Sequence, residues 1–178
     1  MRSGSRAPTS RTWSRPEGDR PNILLGEGPS LRDTARAMSQ ENVEVVERAV
    51  AAVNDRDIDG YLACCTEDIQ LQTPVSPIEG IYKGPEGIKR YFADLRDAGR
   101  DFRVTIDRLE TVGADRVVGF LRLNMSGRAS GISLGGDIPA TNVWDLADGK
   151  IKRVRIFLDR REALEAVGLS EQDAQADS

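Results

Sequence analysis

NVWDLADGKIKRVRIFL, residues 142–158, holds two alternating segments on either side of Asp148-Gly149. Asn142, Trp144 and Leu146 share a phase with Ala140, and after the turn Val154, Ile156 and Leu158 share another. An Asp-Gly pair between alternating runs is a strong hairpin signal, because the favoured two-residue turns need positive φ at their centre. Working upstream, FRVTI places Phe102, Val104 and Ile106 on one face, VGAD makes a turn, and VVGFLRLNM separates Val117, Gly119, Leu121 and Leu123 from Val118, Phe120, Arg122 and Asn124. Residues 101–158 therefore read as long antiparallel strands, with Gly135-Gly136 marking a bulge or bend.

Helical periods flank this sheet. Ser39 precedes a stretch in which Val43, Val46, Val50 and Val53 recur at steps of three and four, which predicts an amphipathic helix capped by Ser39 and ending near Asn54. Asp57 caps a second, short helix through Ile58, Tyr61, Leu62 and Cys65. DIQLQ, residues 68–72, alternates as a strand that Pro74 and Pro77 end. A short strand and a third helix follow, with Pro85 in its first turn, Ile88, Tyr91, Phe92 and Leu95 on its buried stripe and Gly99 beyond its end. Asp159 and Glu162 start a last short helix. The order predicts an α+β cone: a curved antiparallel sheet on three N-terminal helices, with a cavity between the two layers.

Composition bounds the partners. Residues 1–37 carry seven arginines, four acids and little apolar periodicity, and read as a disordered basic tail or a mis-started extension ahead of Met38. The domain is expected over 38–169, with a frayed end over 170–178. The chain has 25 basic and 29 acidic residues; without the tail the balance is 18 to 25, near −7. An acidic domain argues against nucleic acid, and no apolar run approaches a membrane span or an export signal. A cytoplasmic protein is expected. Cys64 and Cys65 are adjacent and lack the spacing of a zinc site; they read as packing residues on a helix, so neither metal nor cofactor is expected.

RAVAAVNDRDIDGYLACCTEDIQLQTP, GIYKGPEGIKRYF and NVWDLADGKIKRVRIFLDRREAL together resemble the SnoaL-like branch of the NTF2-like superfamily over about residues 39–169. The resemblance implies a cone whose interior holds a small apolar molecule, usually in a homodimer formed through the outer sheet face. It leaves the chemistry open, since the fold hosts isomerases, cyclases, hydrolases and non-catalytic modules. Against the ketosteroid isomerases of that superfamily, the oxyanion tyrosine falls at Ala49, the general base at Thr73 and the protonated acid at Asn142, with Trp144 as the nearby aromatic. All three roles have changed. An un-ionised threonine takes no proton from carbon near pH 7, so steroid isomerisation of that kind is not expected.

Asn142 is the candidate for polarising a ligand carbonyl, or else bonds internally to backbone or Thr73. Glu79 in a loop over the cavity mouth and Asp137 beside the expected bulge are the candidate proton carriers for a cofactor-free isomerisation or cyclisation. Asp137, Arg122, Asp145 and Arg155 supply the residue types of an epoxide-hydrolase-like site, but strand phase sets Arg122, Asp145 and Arg155 on the opposite face. Thr73, Tyr61, Tyr82, Leu71, Leu121, Leu123, Trp144, Ile156 and Leu158 are the expected ligand contacts. The competing reading is a non-catalytic binding or dimerisation module with a filled interior, whose outer face with Phe120 is the functional surface.

Overall fold

The structure is a computed structural model that describes residues 31–97, 100–127 and 137–168; the side chains of 31–35, 79, 97, 100–102 and 125–127 lie outside the description. The elements run α1 (Leu31–Asp55), α2 (Ile58–Ala63), β1 (Cys65–Gln72), α3 (Ser76–Glu79), β2 (Tyr82–Lys83), α4 (Gly84–Asp97), β3 (Arg100–Val112), β4 (Arg116–Gly127), β5 (Asp137–Ala147), β6 (Lys150–Phe157) and α5 (Arg160–Glu165). One six-stranded sheet has the order β2-β1-β6-β5-β4-β3. Every pairing is antiparallel except β1 with β6, which is parallel.

The Asp148-Gly149 turn has φ of 51° and 69°, the double left-handed geometry that an Asp-Gly pair tolerates. It locks the β5–β6 register, with Trp144 opposite Val154 and Asn142 opposite Ile156. Helix α2 is capped as expected, Asp57 accepting from the Gly60 amide at 2.9 Å. Two local expectations fail. Helix α1 runs straight through Ser39 from Leu31, so Ser39 caps nothing. Cys64 is already the C-cap of α2 and Cys65 opens β1, because the turn there sends the chain directly into pairing with Ile151. Gly99, the Gly127–Gly131 turn beyond residue 127, the expected bulge at Gly135-Gly136 and the two terminal segments at 1–30 and 169–178 lie outside the described residues. Among the described strands, the β3–β4 register shifts at Asp107 of β3, and the β5–β6 register shifts at Lys152 of β6, opposite Asp145 and Leu146.

Helices α1, α2 and α4 bury one face of the sheet. Val46, Ile69, Ile88, Val117 and Ile151 are fully buried in that core, and burying each stabilises the fold by about 1.5–3 kcal/mol. Asn54, in the last turn of α1, ties helix to sheet edge: its Nδ2 donates to the Val104 carbonyl at 2.9 Å and its Oδ1 accepts from the Val104 amide at 2.8 Å.

Part of the other face is covered by the chain itself. Val118 and Val143 point away from the three helices yet are fully buried, and on this side α5 folds back over β5 and β6 with Ala163 and Leu164 buried. Asp159 fixes the entry of α5 by accepting from the amides of Arg161 (2.8 Å) and Glu162 (3.4 Å). Beside it the Phe120 ring lies between two guanidiniums, Arg108 at 4.8 Å and Arg160 at 4.5 Å from its centroid. With both faces covered, β5 is buried continuously from Ala140 to Trp144.

Candidate functional site

Between the helices and the sheet lies a cavity of ≈ 100 Å³, counted as space open to the centre of a water-sized sphere. By that measure one water needs only about 10–15 Å³, so this is a compartment and not a packing fault. Ala49, Val50 and Val53 of α1 form one wall, and Tyr91, Phe92 and Leu95 of α4 another. Val104, Leu123, Asn142, Trp144, Val154, Ile156 and Leu71 form the sheet side, with Tyr61 reaching in from α2. The partly exposed members, among them Val53, Leu95, Val104, Leu123 and Ile156, mark the end of the sheet at which it approaches solvent.

The lining has no charged side chain among the described residues. Its polar groups are the amide of Asn142, the indole N–H of Trp144 and the phenols of Tyr61 and Tyr91. Asn142 sits on the central strand, flanked by Gly119 and Ile156, and is only 8% exposed; its Oδ1 is buried without a hydrogen-bond partner. An amide carbonyl left so costs about 1–3 kcal/mol, which native folds normally avoid. The tyrosine rings stack edge-on about Phe92, Tyr61 at 5.7 Å and Tyr91 at 5.7 Å between centroids. Burial pushes the Tyr61 phenol well above its ordinary value, helped by Cys65 and Tyr91. Burial, and then Tyr82, push Tyr91 up to about 12. Both are therefore neutral donor-acceptors near pH 7 and not bases.

Residues 46–154 match the SnoaL-like domain family, a stretch that runs from the middle of α1 into β6 and includes every lining residue except Ile156. The chain belongs to that family. Three solved structures are similar to this SnoaL-like chain. An NTF2-like protein of unknown function from Burkholderia pseudomallei K96243 has a TM-score of 0.59 at 18% identity, covering 71% of this chain and 97% of that one. TerC, co-crystallised with polyporic acid, has a TM-score of 0.59 at 25% identity, covering 72% and 98%. A putative polyketide cyclase from Xanthomonas campestris pv. campestris has a TM-score of 0.56 at 20% identity, covering 73% and 98%. No curated protein matches the sequence. The α+β architecture expected from the strand and helix pattern, and the NTF2-like, cystatin-like fold implied by the resemblance, are the ones found.

Of the residues singled out in the SnoaL-like sequence, Asn142, Tyr61, Leu71, Leu123, Trp144 and Ile156 are brought together around the cavity. Others are placed elsewhere. Thr73 is buried against Ser76: its amide donates to Ser76 Oγ at 2.8 Å, and the two hydroxyls are 3.3 Å apart. It neither joins the lining nor bonds to Asn142. Tyr82 turns its hydroxyl outward to donate to Asp94 Oδ2 at 3.1 Å. Leu121 is packed solidly in the core, and Leu158, past the end of β6, is 55% exposed because its strand has left the sheet.

Asp137 does not turn inward. It stands opposite Asn124 in register on the outer face, accepting from Asn124 Nδ2 at 3.1 Å and pairing with Arg122 at 3.4 Å. Asp145 and Arg155 share that face, 3.5 Å apart, so the epoxide-hydrolase-like set is not assembled. Glu79 ends α3, and its side chain lies outside the described residues. Sequence reasoning put Tyr91, Phe92, Leu95, Val50 and Val53 on buried stripes without assigning them to a pocket. Periodicity reports which face is apolar, and it carries no signal for a gap between two apolar faces.

Proposed function

We propose that this SnoaL-like protein binds a small, uncharged, largely apolar molecule in the cone cavity. The observation that carries this reading is a compartment between helices and sheet that is apolar apart from Asn142, Trp144 and the two tyrosines, with an Asn142 amide whose buried Oδ1 has no partner within the fold. A filled core would have no use for that amide, and a leucine of similar size would be more stable there. TerC, co-crystallised with polyporic acid, is a precedent for a ligand on this fold. Binding is better supported than proton abstraction from carbon, which needs a base in the lining. The two phenols are held neutral, and Cys65, also pushed up to about 12 by burial, packs in the core outside the cavity. The isomerase or cyclase reading rests on Glu79 alone.

The homodimer implied by the family resemblance is retained in the proposal with a narrower footprint. Since α5 already packs over β5 and β6 and Val118 and Val143 are fully buried within the chain, the second copy would sit on the open part of the outer face at Phe120, Arg122 and Asn124.

The test is native mass spectrometry of the full chain recovered from its own cells. A retained neutral compound that is lost on Asn142→Leu supports binding at this cavity. Recovery of ligand-free protein from a broad extract, with no compound retained by wild type, counts against it and favours an interaction module.

A further inference from the structure

We infer that the ligand is longer than the compartment, and that its far end, an uncharged aliphatic chain, lies along an apolar lip at the compartment's mouth. This deepens the proposal above and rests on the cavity being the binding site. Among the described residues five large apolar side chains are exposed, and four of them, Val75, Ile78, Ile81 and Leu158, leave the sheet at one end. The fifth, Met38, belongs to the other end, where Asn42 of the same helix bonds to Ala114 in the β3–β4 turn. Ile78 is 89% exposed, and Pro74 and Pro77 beside it are exposed as well. Single exposed apolar residues are ordinary, whereas a group of them at one place marks a surface that something covers.

Strand pairing sets this lip beside the mouth. β1 and β6 are parallel neighbours, with Leu71 beside Val154 and Gln72 beside Arg155, so both strands leave the sheet at the same end. Thr73 is thus level with the lining residue Ile156, and the chain runs on from it through Val75 into α3 with Ile78. Leu158 stands two residues beyond Ile156, in the phase that faces the cavity. Ile81 returns to the sheet just before Tyr82, which pairs with Leu71. This is also the end at which Val53 and Val104 of the lining approach solvent, held together through Asn54.

Continuity with the lining chooses the occupant. The apolar surface of Leu71 and Ile156 inside passes into that of Val75, Ile78 and Leu158 outside, so a chain leaving the compartment stays on aliphatic side chains. An anionic lipid surface is disfavoured, because beyond residue 37 the chain carries 18 basic against 25 acidic residues.

Calorimetric titration of the full chain with 1-butanol, 1-hexanol, 1-octanol and 1-decanol tests this, in wild type and in the double variant Ile78→Ser, Leu158→Ser. Both positions are exposed, so the fold should persist, and 1-butanol, short enough to be enclosed, reports on the compartment in each protein. In wild type, each methylene beyond the mouth should strengthen binding about twofold, half the logarithmic gain of full burial, because one side of the chain stays in water. The double variant should bind 1-butanol as wild type does and 1-decanol about fivefold more weakly. An affinity that stops rising before 1-decanol, or a loss in the variant that is equal at every length, overturns the lip while the cavity reading stands. Co-sedimentation of wild type with neutral phosphatidylcholine vesicles, lost in the variant, overturns it in favour of a lipid surface. Failure of all four alcohols to bind removes the cavity proposal itself.

Discussion

Gly119 on β4 lies under the indole of Trp144 on β5: a methyl group built on Gly119 would stand 2.6 Å from Trp144 Cζ3 and 2.8 Å from Leu109 Cδ2. The glycine is there for space, since it lies in a regular strand. Its missing side chain lets the indole lie back and leaves open the volume in front of it.

Gly119→Ala should therefore push Trp144 into the cavity. We expect a loss of about 1–3 kcal/mol of stability in urea unfolding, together with weaker retention of any cavity ligand. Adding Trp144→Phe should recover part of the stability. Unchanged unfolding in the single variant would show that the indole has another place to go.

Asn142→Leu should act in opposite directions on stability and binding. Removing an unpaired buried carbonyl is expected to raise stability by about 1–2 kcal/mol, measured by urea unfolding without ligand, while ligand retention falls. A destabilised variant would mean that the amide already has a partner in the free protein.

Helix α5 should be a stabilising strap. Asp159→Ala removes the acceptor for two amides and should cost about 1 kcal/mol. Leu164→Ala, at a residue 1% exposed, should cost about 2–5 kcal/mol. Amide exchange of Val143 and Arg155 should speed up in both variants. Normal protection there would place the burial of Val118 and Val143 on something other than α5.

Alkaline pH should unfold the protein earlier than its carboxylates or arginines would. Burial raises Cys65 from 9.0 to about 12 and Tyr91 from 10.0 to about 12, and raises Tyr61 as well. For a folded-state pKa above the unfolded one, the unfolded chain releases its proton first. The stabilising contribution is then complete below the unfolded value and is lost as pH climbs to the folded one. Stability should fall from pH 9 upward, by up to about 1.4 kcal/mol per unit for each group in its window. Cys65→Ala should flatten the part between 9 and 10, read from urea midpoints across the series.

Phe120→Glu tests the outer face. A carboxylate between Arg108 and Arg160 keeps attractive partners, so the fold should survive and the readout should be oligomeric state by light scattering. A wild-type dimer that becomes monomeric places the contact at Phe120. A dimer that persists moves it elsewhere.

The legibility of this fold in its sequence follows from what alternation encodes. Asp148-Gly149 and the two-residue phases of β4, β5 and β6 specified the sheet and its faces, because a one-residue slip would turn every apolar side chain outward. Ser39 misled because a good cap residue tolerates a helix interior when upstream residues continue the helix. Cys65 misled because a six-residue helix ends wherever the next strand finds its partner, which is set by Ile151 across the sheet. Leu158 and Thr73 misled for a related reason: both lie just beyond strand ends, where phase ceases to fix direction. Asn142 was identified as a candidate ligand contact that could instead bond internally, and the lack of an internal partner for its Oδ1 depends on what stands around it, which only the folded chain shows.

The paired hydrogen bonds of Asn54 also bear on how this molecule avoids sticking to itself. Strand β3 is an outer strand of the sheet, and such strands offer free amides and carbonyls to any stray extended chain. At Val104 both groups are already taken by one side-chain amide, which imitates the neighbour that a further strand would be. An incoming peptide must first evict Asn54 and loosen the end of α1. That position is closed to strand-by-strand aggregation, and Asn54→Ala is where we would look for a chain that begins to add copies along its edge.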